Sequence, residues 1–536
     1  MNVGEVIAAQ LENWGVQRVY GLPGSSFLPL LEALERRGSP RFVTVADEAN
    51  AALMASAHAK LTGGLGVCLA HAGPGAARLA AGLWDARKDQ VPVLALTGQV
   101  PEERIGTAYK QASDETRMMG GPAGLSLQLN AAGQTVEILT QAMRHAVALG
   151  DSAHVALPED LLAADCGACR PTSPAPYVQR APALAEDRAR IAAGLLAAAR
   201  RPVILMGRGA LGARREVLEL AERLQAPVIT TLFAKGALSE EHPLVVGPLG
   251  EAGTDAAGEA ARSADILLAA GSTWLPRSFL PDDVQVIQVD QRATAVHAGV
   301  ADLVAIVADA RQALAAIVAE LPELSRSPRR RPEAQGAPAD TDEGVHPAAI
   351  MQALRSALPD GAVVAVDTGL DTLWYGRAFP ARSETTLVSG RWRTMGFALP
   401  AAIAAKLERP RAPVVAIAGD GGFMTSMQEF PTAVEERLAI AVLVLRNGTL
   451  GEERGRARLS GYRRTSPMRL PQPDFALFAR ACGGQGLSAR TSAELRRAIG
   501  QALAADGPAL VDVATAYAVP DALRPVAAAP AARRGV

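Results

Sequence analysis

The sequence predicts an α/β protein of three doubly wound parallel-sheet domains, on three observations. Short runs of β-branched apolar residues alternate with Ala-rich helical stretches along most of the chain. The runs stop at turns made of Gly, Pro, Asp or Asn, the punctuation of βαβ units. Two polar, Pro-rich stretches divide the 536 residues into three parts, and a chain of that length needs several domains.

The first part covers residues 1–165. A strand is expected over 17–21, a turn at Leu22-Pro23-Gly24-Ser25-Ser26 and a helix over 27–37. The next strand, 42–45, runs into an Ala-rich helix over 47–61. Residues 66–70 form a strand, His71-Ala72-Gly73-Pro74-Gly75 a turn, 76–85 a helix, and 91–97 the closing strand. A Pro-rich, irregular linker follows from about 166 to 186. It contains Cys166-Gly167-Ala168-Cys169, which lacks the second pair a zinc site needs, so two reduced thiols are expected there.

The second part, 187–322, has expected strands at 203–206, 228–231, 266–269 and 286–289. Gly207-Arg208-Gly209-Ala210-Leu211-Gly212 matches GxGxxG after a strand. The following strand ends in Thr230-Thr231 and offers no acidic residue to a ribose, so the segment is not read as a dinucleotide site. Residues 323–345 are charge-dense and Pro-rich, an interdomain linker whose Arg329 to Arg331 cluster reads as solvated. The third part spans 346–520, and a tail over 521–536, rich in Ala, Pro and Arg, is expected to be flexible.

Composition excludes several classes of partner. With 54 basic and 55 acidic residues, nothing favours nucleic acid or a membrane surface. No uninterrupted apolar stretch reaches about eighteen residues and no signal-peptide pattern opens the chain, so a cytoplasmic protein is expected.

The chemistry concentrates in the third part. The apolar run 414–418 stops at Gly419-Asp420-Gly421-Gly422, a helix is expected over 425–438, and a second apolar run, 440–445, ends in Arg446-Asn447-Gly448. Asp420 and Asn447 thus fall at the carboxyl ends of parallel strands, where open α/β sheets bind ligands. One anionic oxygen, one neutral carbonyl and flanking glycines suit Mg²⁺, which takes few protein oxygens and completes its shell with water and phosphate. Gly-Asp-Gly alone would read as a turn.

Gly-Asp-Gly followed by Asn twenty-seven positions after the Asp, on consecutive strand ends, resembles the thiamine diphosphate (ThDP) motif. That motif belongs to the family of acetolactate synthase, pyruvate decarboxylase and benzoylformate decarboxylase. The resemblance implies ThDP and Mg²⁺ as cofactors, with Asp420, Asn447 and the backbone carbonyl of Thr449 as metal ligands and Gly419, Gly421 and Gly422 around the diphosphate. Tyr20-Gly21-Leu22-Pro23-Gly24, Asp47-Glu48, Ala72-Gly73-Pro74-Gly75 and Leu96-Thr97-Gly98-Gln99 look like the family's pyrimidine-binding domain. They imply that Pro23 and Gly73 approach the cofactor and that Glu48 hydrogen-bonds N1′ of the aminopyrimidine, so that the imino tautomer removes the thiazolium C2 proton. Ser389 to Ala402 resembles the segment in which Met395 is an apolar wedge beneath the cofactor. The three parts therefore resemble, in order, the pyrimidine-binding, central and diphosphate-binding domains.

The substrate positions mix features. Ser25 and His71 match benzoylformate decarboxylase and are candidate pocket residues; otherwise they read as a helix N-cap and a turn histidine. Gln111 is a further catalytic candidate, preceded by Lys110 where acetolactate synthases tend to have Phe. Asp47 stands where relatives usually have His, Arg78 where many have Asn, and Asp371 where acetolactate synthases carry His near the diphosphate. Glu453 lies six positions after Asn447, the spacing of an active-site glutamate in pyruvate decarboxylases; its other reading is a solvated helix acid. Lys110, Arg391 and Arg393 favour a polar or acidic substrate over an aryl one.

The implied function is ThDP- and Mg-dependent non-oxidative decarboxylation of a 2-oxo acid, with release of an aldehyde or carboligation of the enamine. An acetolactate synthase-like carboligase is the alternative, and a non-catalytic ThDP-binding protein a remote one. In this family the cofactor lies between the first domain of one subunit and the third of another, which implies a homodimer or homotetramer. Its central domain holds FAD, ADP or coenzyme A in some members. Gly271-Ser272-Thr273-Trp274 lacks the Arg seen in acetolactate synthases, so FAD is not expected and the domain is read as structural.

Overall fold

A computed structural model describes residues 1–176, 181–297, 302–327, 336, 338–520 and 523. The Arg329 to Arg331 cluster and nearly all of the 521–536 tail lie outside the described residues.

Three six-stranded sheets, parallel throughout, carry the fold. The first contains β1 (Arg18–Gly21), β2 (Arg41–Thr44), β3 (Gly66–Ala70), β4 (Val93–Gln99), β5 (Leu125–Gln128) and β6 (Ser152–Pro158), in the order β2-β1-β3-β4-β6-β5. The second contains β7 (Pro202–Met206), β8 (Val228–Thr230), β9 (Val245–Pro248), β10 (Ile266–Ala270), β11 (Gln285–Asp290) and β12 (Leu303–Val307), ordered β12-β11-β10-β7-β8-β9. The third contains β13 (Val363–Val366), β14 (Thr385–Val388), β15 (Val414–Gly419), β16 (Ala441–Arg446), β17 (Gln485–Ala489) and β18 (Ala509–Ala514), ordered β14-β13-β15-β16-β18-β17. Buried on both faces by helices, the central strands are continuous Val, Ile, Leu and Ala.

The first and third domains share one core. Helix Glu48–Thr62 and helix Ala398–Glu408 pack on each other within one apolar cluster rich in alanine, including Ala51, Ala55, Ala401, Ala402 and Ala405, all fully buried. Small side chains at these positions let the two helices approach closely. A buried carboxylate reinforces the junction: Glu429 of the third domain accepts hydrogen bonds from the Ala46 and Asp47 N–H groups (3.1 and 3.0 Å) and from Asn50 Nδ2 (3.0 Å). Removing it in Glu429→Ala leaves these three donors and the Thr432 hydroxyl without their partner, so a loss of about 2–4 kcal/mol is expected in the denaturant-unfolding free energy.

Three local expectations differ from the structure. The helix expected over 425–438 is in pieces: Asp420–Ser426, a 3₁₀ turn Met427–Glu429, and Phe430–Glu435. Pro431 has no N–H for a continuous helix but suits the start of a new one. Cys166 and Cys169, expected as free thiols, form a disulfide, because a turn with Gly167 at φ 61° brings their Cα atoms to 5.6 Å. The edge strands β5, β9, β12, β14 and β17 were not read from the sequence, and neither were the interior strands β13, β18 and β6, the last with an apolar run interrupted by His154.

Candidate active site

The carboxyl ends of β15 and β16 place Asp420 and Asn447 side by side. Asp420 is buried, and its oxygens accept hydrogen bonds from the N–H of Gly421 (2.9 Å), the N–H of Gly448 (2.7 Å) and Gln472 Nε2 (3.3 Å). Burial still outweighs these bonds and pushes its carboxyl above the usual range. Asn447 Oδ1 accepts from the Thr449 N–H at 3.1 Å, and the Thr449 hydroxyl donates to the Met468 carbonyl at 2.9 Å.

These groups line a cavity of about 290 Å³, together with Met395, Gly419, Gly421, Gly422, Glu452 and Glu453. Two glycines leave its walls tightly packed, and at Gly422 the neighbour is a carboxylate held in place by hydrogen bonds. A Cβ at Gly421 would lie 2.9 Å from Leu450 Cδ2, and one at Gly422 2.8 Å from Asp367 Cγ. Asp367, fully buried and not singled out by the sequence, accepts from the N–H groups of Thr368, Gly396 and Ala398 and so fixes the turn that carries Met395. Burial pushes its carboxyl up to about 6.

Among the described residues no group of three His, Cys, Asp or Glu converges to hold a metal. The donors here are one carboxylate, one amide oxygen and a nearby backbone carbonyl. That set is too small to hold a metal alone and fits a hard divalent ion that completes its shell with phosphate and water. The residues present therefore fit Mg²⁺ and a diphosphate.

The second group of predicted residues lies at the carboxyl edge of the first sheet. Glu48 begins helix Glu48–Thr62; it is 6% exposed, and no described residue hydrogen-bonds or ion-pairs with its carboxylate. A Cβ at Gly75 would lie 3.0 Å from Glu48 Oε1, so the Gly73-Pro74-Gly75 turn leaves room for that side chain. Asp47 caps the helix by accepting from the Ala49 N–H (2.8 Å) and pairs with Arg78. The two departures from the family pattern thus satisfy each other.

His71 is held from both sides, by Ser26 Oγ at Nδ1 (2.7 Å) and Gln111 Oε1 at Nε2 (3.2 Å). Ser26, buried and not singled out by the sequence, makes this contact, whereas Ser25 and Pro23 are exposed at the same edge. Gln111 adopts φ 62°, and its backbone oxygen would lie 2.8 Å from a Cβ at Gly73.

Behind Gly73 runs a buried chain of polar groups. Glu115 accepts from the Gly73 N–H (2.9 Å) and from Thr97, which also meets His154 Nε2 (2.7 Å); His154 Nδ1 meets Ser126 (2.8 Å). Burial pushes the Glu115 carboxyl up to about 7 and His154 down to about 3. Between about pH 4.5 and 7 the folded protein then holds a proton on Glu115 that the unfolded chain has lost. Its contribution is complete at the acid end and is lost as pH rises, by on the order of 3 kcal/mol. Glu115→Gln is expected to flatten that part of the stability–pH curve measured by chemical denaturation.

The charged candidates are mostly engaged. Arg393 pairs with both oxygens of Glu452 (2.9 and 3.0 Å) and with Glu251 (3.1 Å), and Arg456 joins the same pair of acids. Arg391 donates to Thr273. Glu453 is exposed on the cavity wall, and Lys110 is exposed beside Tyr109.

Within one chain the two groups do not meet. None of Pro23, Ser25, Glu48, His71, Gly73 or Gln111 lines the cavity of Asp420 and Asn447. A second, larger cavity of about 630 Å³ lies at the carboxyl ends of β7, β10 and β11, walled by Arg208, Gly271, Trp274 and Asp290 and closed by Asp89 and Arg391 of the other domains. The central domain, read from the sequence as structural, therefore carries a cavity. Sheet order places it there: β10 and then β11 follow β7 on the side away from β8, so Asp290 at the end of β11 reaches the wall.

Comparison with known proteins follows this three-part layout. Residues 1–118, 189–317 and 367–513 match the N-terminal TPP binding domain, the central domain and the C-terminal TPP binding domain of thiamine pyrophosphate enzymes. A putative thiamine pyrophosphate-containing protein, YdaP, of Bacillus subtilis (strain 168) is 34% identical over 530 residues, covering 95% of this chain and 91% of the relative. The acetolactate synthase isozyme 1 large subunit of Escherichia coli (strain K12) is 31% identical over 538 residues, covering 95% and 93%. The solved thiamine diphosphate-dependent 4-hydroxybenzoylformate decarboxylase of Rhodococcus jostii RHA1 superposes with a TM-score of 0.85 at 24% identity, covering 97% of this chain and 100% of that one, a likeness of fold.

Proposed function

The chain belongs to the thiamine pyrophosphate enzyme family, and from that premise we propose that it catalyses ThDP- and Mg²⁺-dependent, non-oxidative decarboxylation of a 2-oxo acid. The observation that carries the proposal is the paired placement of Asp420 and Asn447 on adjacent strand ends, above a glycine floor and beside Met395. When bound, ThDP accepts the electron pair that the departing CO₂ leaves behind.

The protein's own residues do the rest. Asp420, Asn447 and the Thr449 carbonyl would hold Mg²⁺ and with it the diphosphate, Met395 would lie beneath the cofactor, and Pro23 and Gly73 would border its pyrimidine. Glu48, buried and without a partner among the described residues, would take the N1′ proton-sharing role. His71, fixed by Ser26 and Gln111, and Ser25 and Glu453 at the rim are placed to orient the substrate and return a proton to the donor carbon. That carbon leaves as an aldehyde or is joined to a second carbonyl. Because Glu48 and the Asp420 cavity do not meet in one chain, the working unit is a homodimer or a homotetramer built from dimers. No helix among the described residues is long and apolar enough to cross a membrane.

Incubating the ThDP and Mg²⁺ holoenzyme with a panel of 2-oxo acids, with and without an acceptor aldehyde, tests this reading through CO₂ release and product mass. CO₂ with free aldehyde supports the lyase. A longer product formed only with acceptor supports the acetolactate synthase-like alternative, which the names of several relatives favour. ThDP binding without CO₂ from any acid would leave a non-catalytic binding protein. The central cavity takes no flavin in this reading, and flavin absorbance in the purified protein would overturn that part.

A further inference from the structure

One carboxyl group in the diphosphate cavity is out of keeping with an anionic ligand. Asp371, in the first turn of helix Leu370–Ala378, is 4% exposed and lines the cavity with Asp420 and Asn447. Its carboxyl is met by the N–H of Gly419 and by its own N–H, but Oδ2 is buried without a hydrogen-bond partner. Gly369 leaves it room, since a Cβ there would lie 2.6 Å from Oδ1. A buried charge with an unpartnered oxygen is costly unless something neutralises it.

Nothing among the described residues does so. The charged groups around the cavity are Asp367 at the end of its own strand, Glu452 and Glu453 on helix Gly451–Leu459, Asp420 on β15, and Arg393. Arg393, the cation among them, is already paired with Glu452 and Glu251. The Asp420 oxygens are engaged by Gly421, Gly448 and Gln472, not by Asp371.

Resting on the ThDP reading above, we propose that Asp371 is a diphosphate-binding residue that works as a neutral acid, its carboxyl O–H donating to a phosphate oxygen of the bound cofactor. The proton supplies the donor that an ionised carboxylate lacks and removes its repulsion of phosphate. Burial, and then the nearby Asp367 and Glu452 carboxylates, hold the Asp371 carboxyl well above the usual carboxylate range, in keeping with that state. Binding of the anion favours the protonated form further, so cofactor affinity falls as pH rises through the titration of this group, and binding on the alkaline side takes up a proton.

Calorimetric titration of ThDP, and separately of inorganic diphosphate, in saturating Mg²⁺ between about pH 6 and pH 9 reads this without any turnover. The wild type is expected to lose affinity with pH and to take up to one proton per site, seen as a dependence of the heat on buffer ionisation. Asp371→Asn, whose amide keeps a donor at every pH, is expected to bind at the acid end as tightly as the wild type and to lose the pH slope. Asp371→Ala is expected to bind about 10- to 100-fold more weakly at the acid end. Thermal melting of both variants confirms that they fold, and inorganic diphosphate following the same pattern places the effect at the phosphates. Equal slopes in wild type and Asp371→Asn, or unchanged affinity in Asp371→Ala, would overturn the role of Asp371 and leave the ThDP reading intact. Failure of the wild type to bind ThDP at any pH would overturn both.

Discussion

Replacing Glu48 by Gln leaves ThDP and Mg²⁺ bound and lowers CO₂ release by about 10²- to 10⁴-fold, the range for losing a positioned proton-transfer group. The reason lies in what surrounds the side chain. Asp47 and Arg78 satisfy each other next to it, Glu429 anchors the turn that precedes it, and the Gly75 backbone leaves it space. The Glu48 carboxylate itself has no partner among the described residues. A side chain so placed contributes little to its own domain, so Gln changes the melting temperature little. Exchange of the cofactor C2 proton, followed by NMR after acid quench, is expected to slow in parallel with turnover, whereas a purely structural role would leave exchange untouched.

The second large effect is at the metal. Asp420→Asn preserves shape but removes the one negative charge among the three proposed ligands. Losing an outer-shell partner weakens metal sites by about 10- to 100-fold, and a direct ligand is expected to cost at least the upper end of that range in Mg²⁺-dependent ThDP uptake. Stability should move the other way or not at all. Burial holds the Asp420 carboxyl above its usual range, so the folded protein carries a cost for the ionised form that Asn does not. Calorimetry against ThDP with and without Mg²⁺, alongside a melting curve of the apoprotein, separates the two effects.

The sequence was most legible where one residue type has one job. Gly-Asp-Gly after an apolar run marks a parallel strand end, and the structure puts Asp420 and Asn447 on adjacent strands as that pattern requires. The interior strands β3, β7, β10, β15 and β16 were read from their unbroken apolar runs, because burial on both faces leaves no room for alternation. Edge strand β5 was missed for the converse reason: it is half-exposed along its whole length and its Leu-Ser-Leu-Gln composition looks like loop.

Residues that act at a distance were not legible. Glu429 reaches turn residues 382 and 383 positions away, and Glu115 meets Gly73 across 42. No local pattern announces such contacts, although an acid in an otherwise apolar helix turn is a signal worth testing. Ser25 and Ser26 differ only in which way a short 3₁₀ turn points them, and that turn buries Ser26 against His71. The disulfide depended on loop geometry, and the central cavity on a strand order that puts β10 rather than β8 beside the acidic strand end.

Subunit complementation most directly tests whether the two half-sites belong to different chains. Glu48→Gln and Asp420→Asn are each expected to be nearly inactive alone. When they are co-expressed, half of the dimers are mixed, and each mixed dimer regains one intact site in which Glu48 of one chain faces Asp420 of the other. The account predicts recovery of about a quarter of wild-type activity. Purified mixed dimers that bind ThDP yet show no activity above that of the separate variants would contradict it.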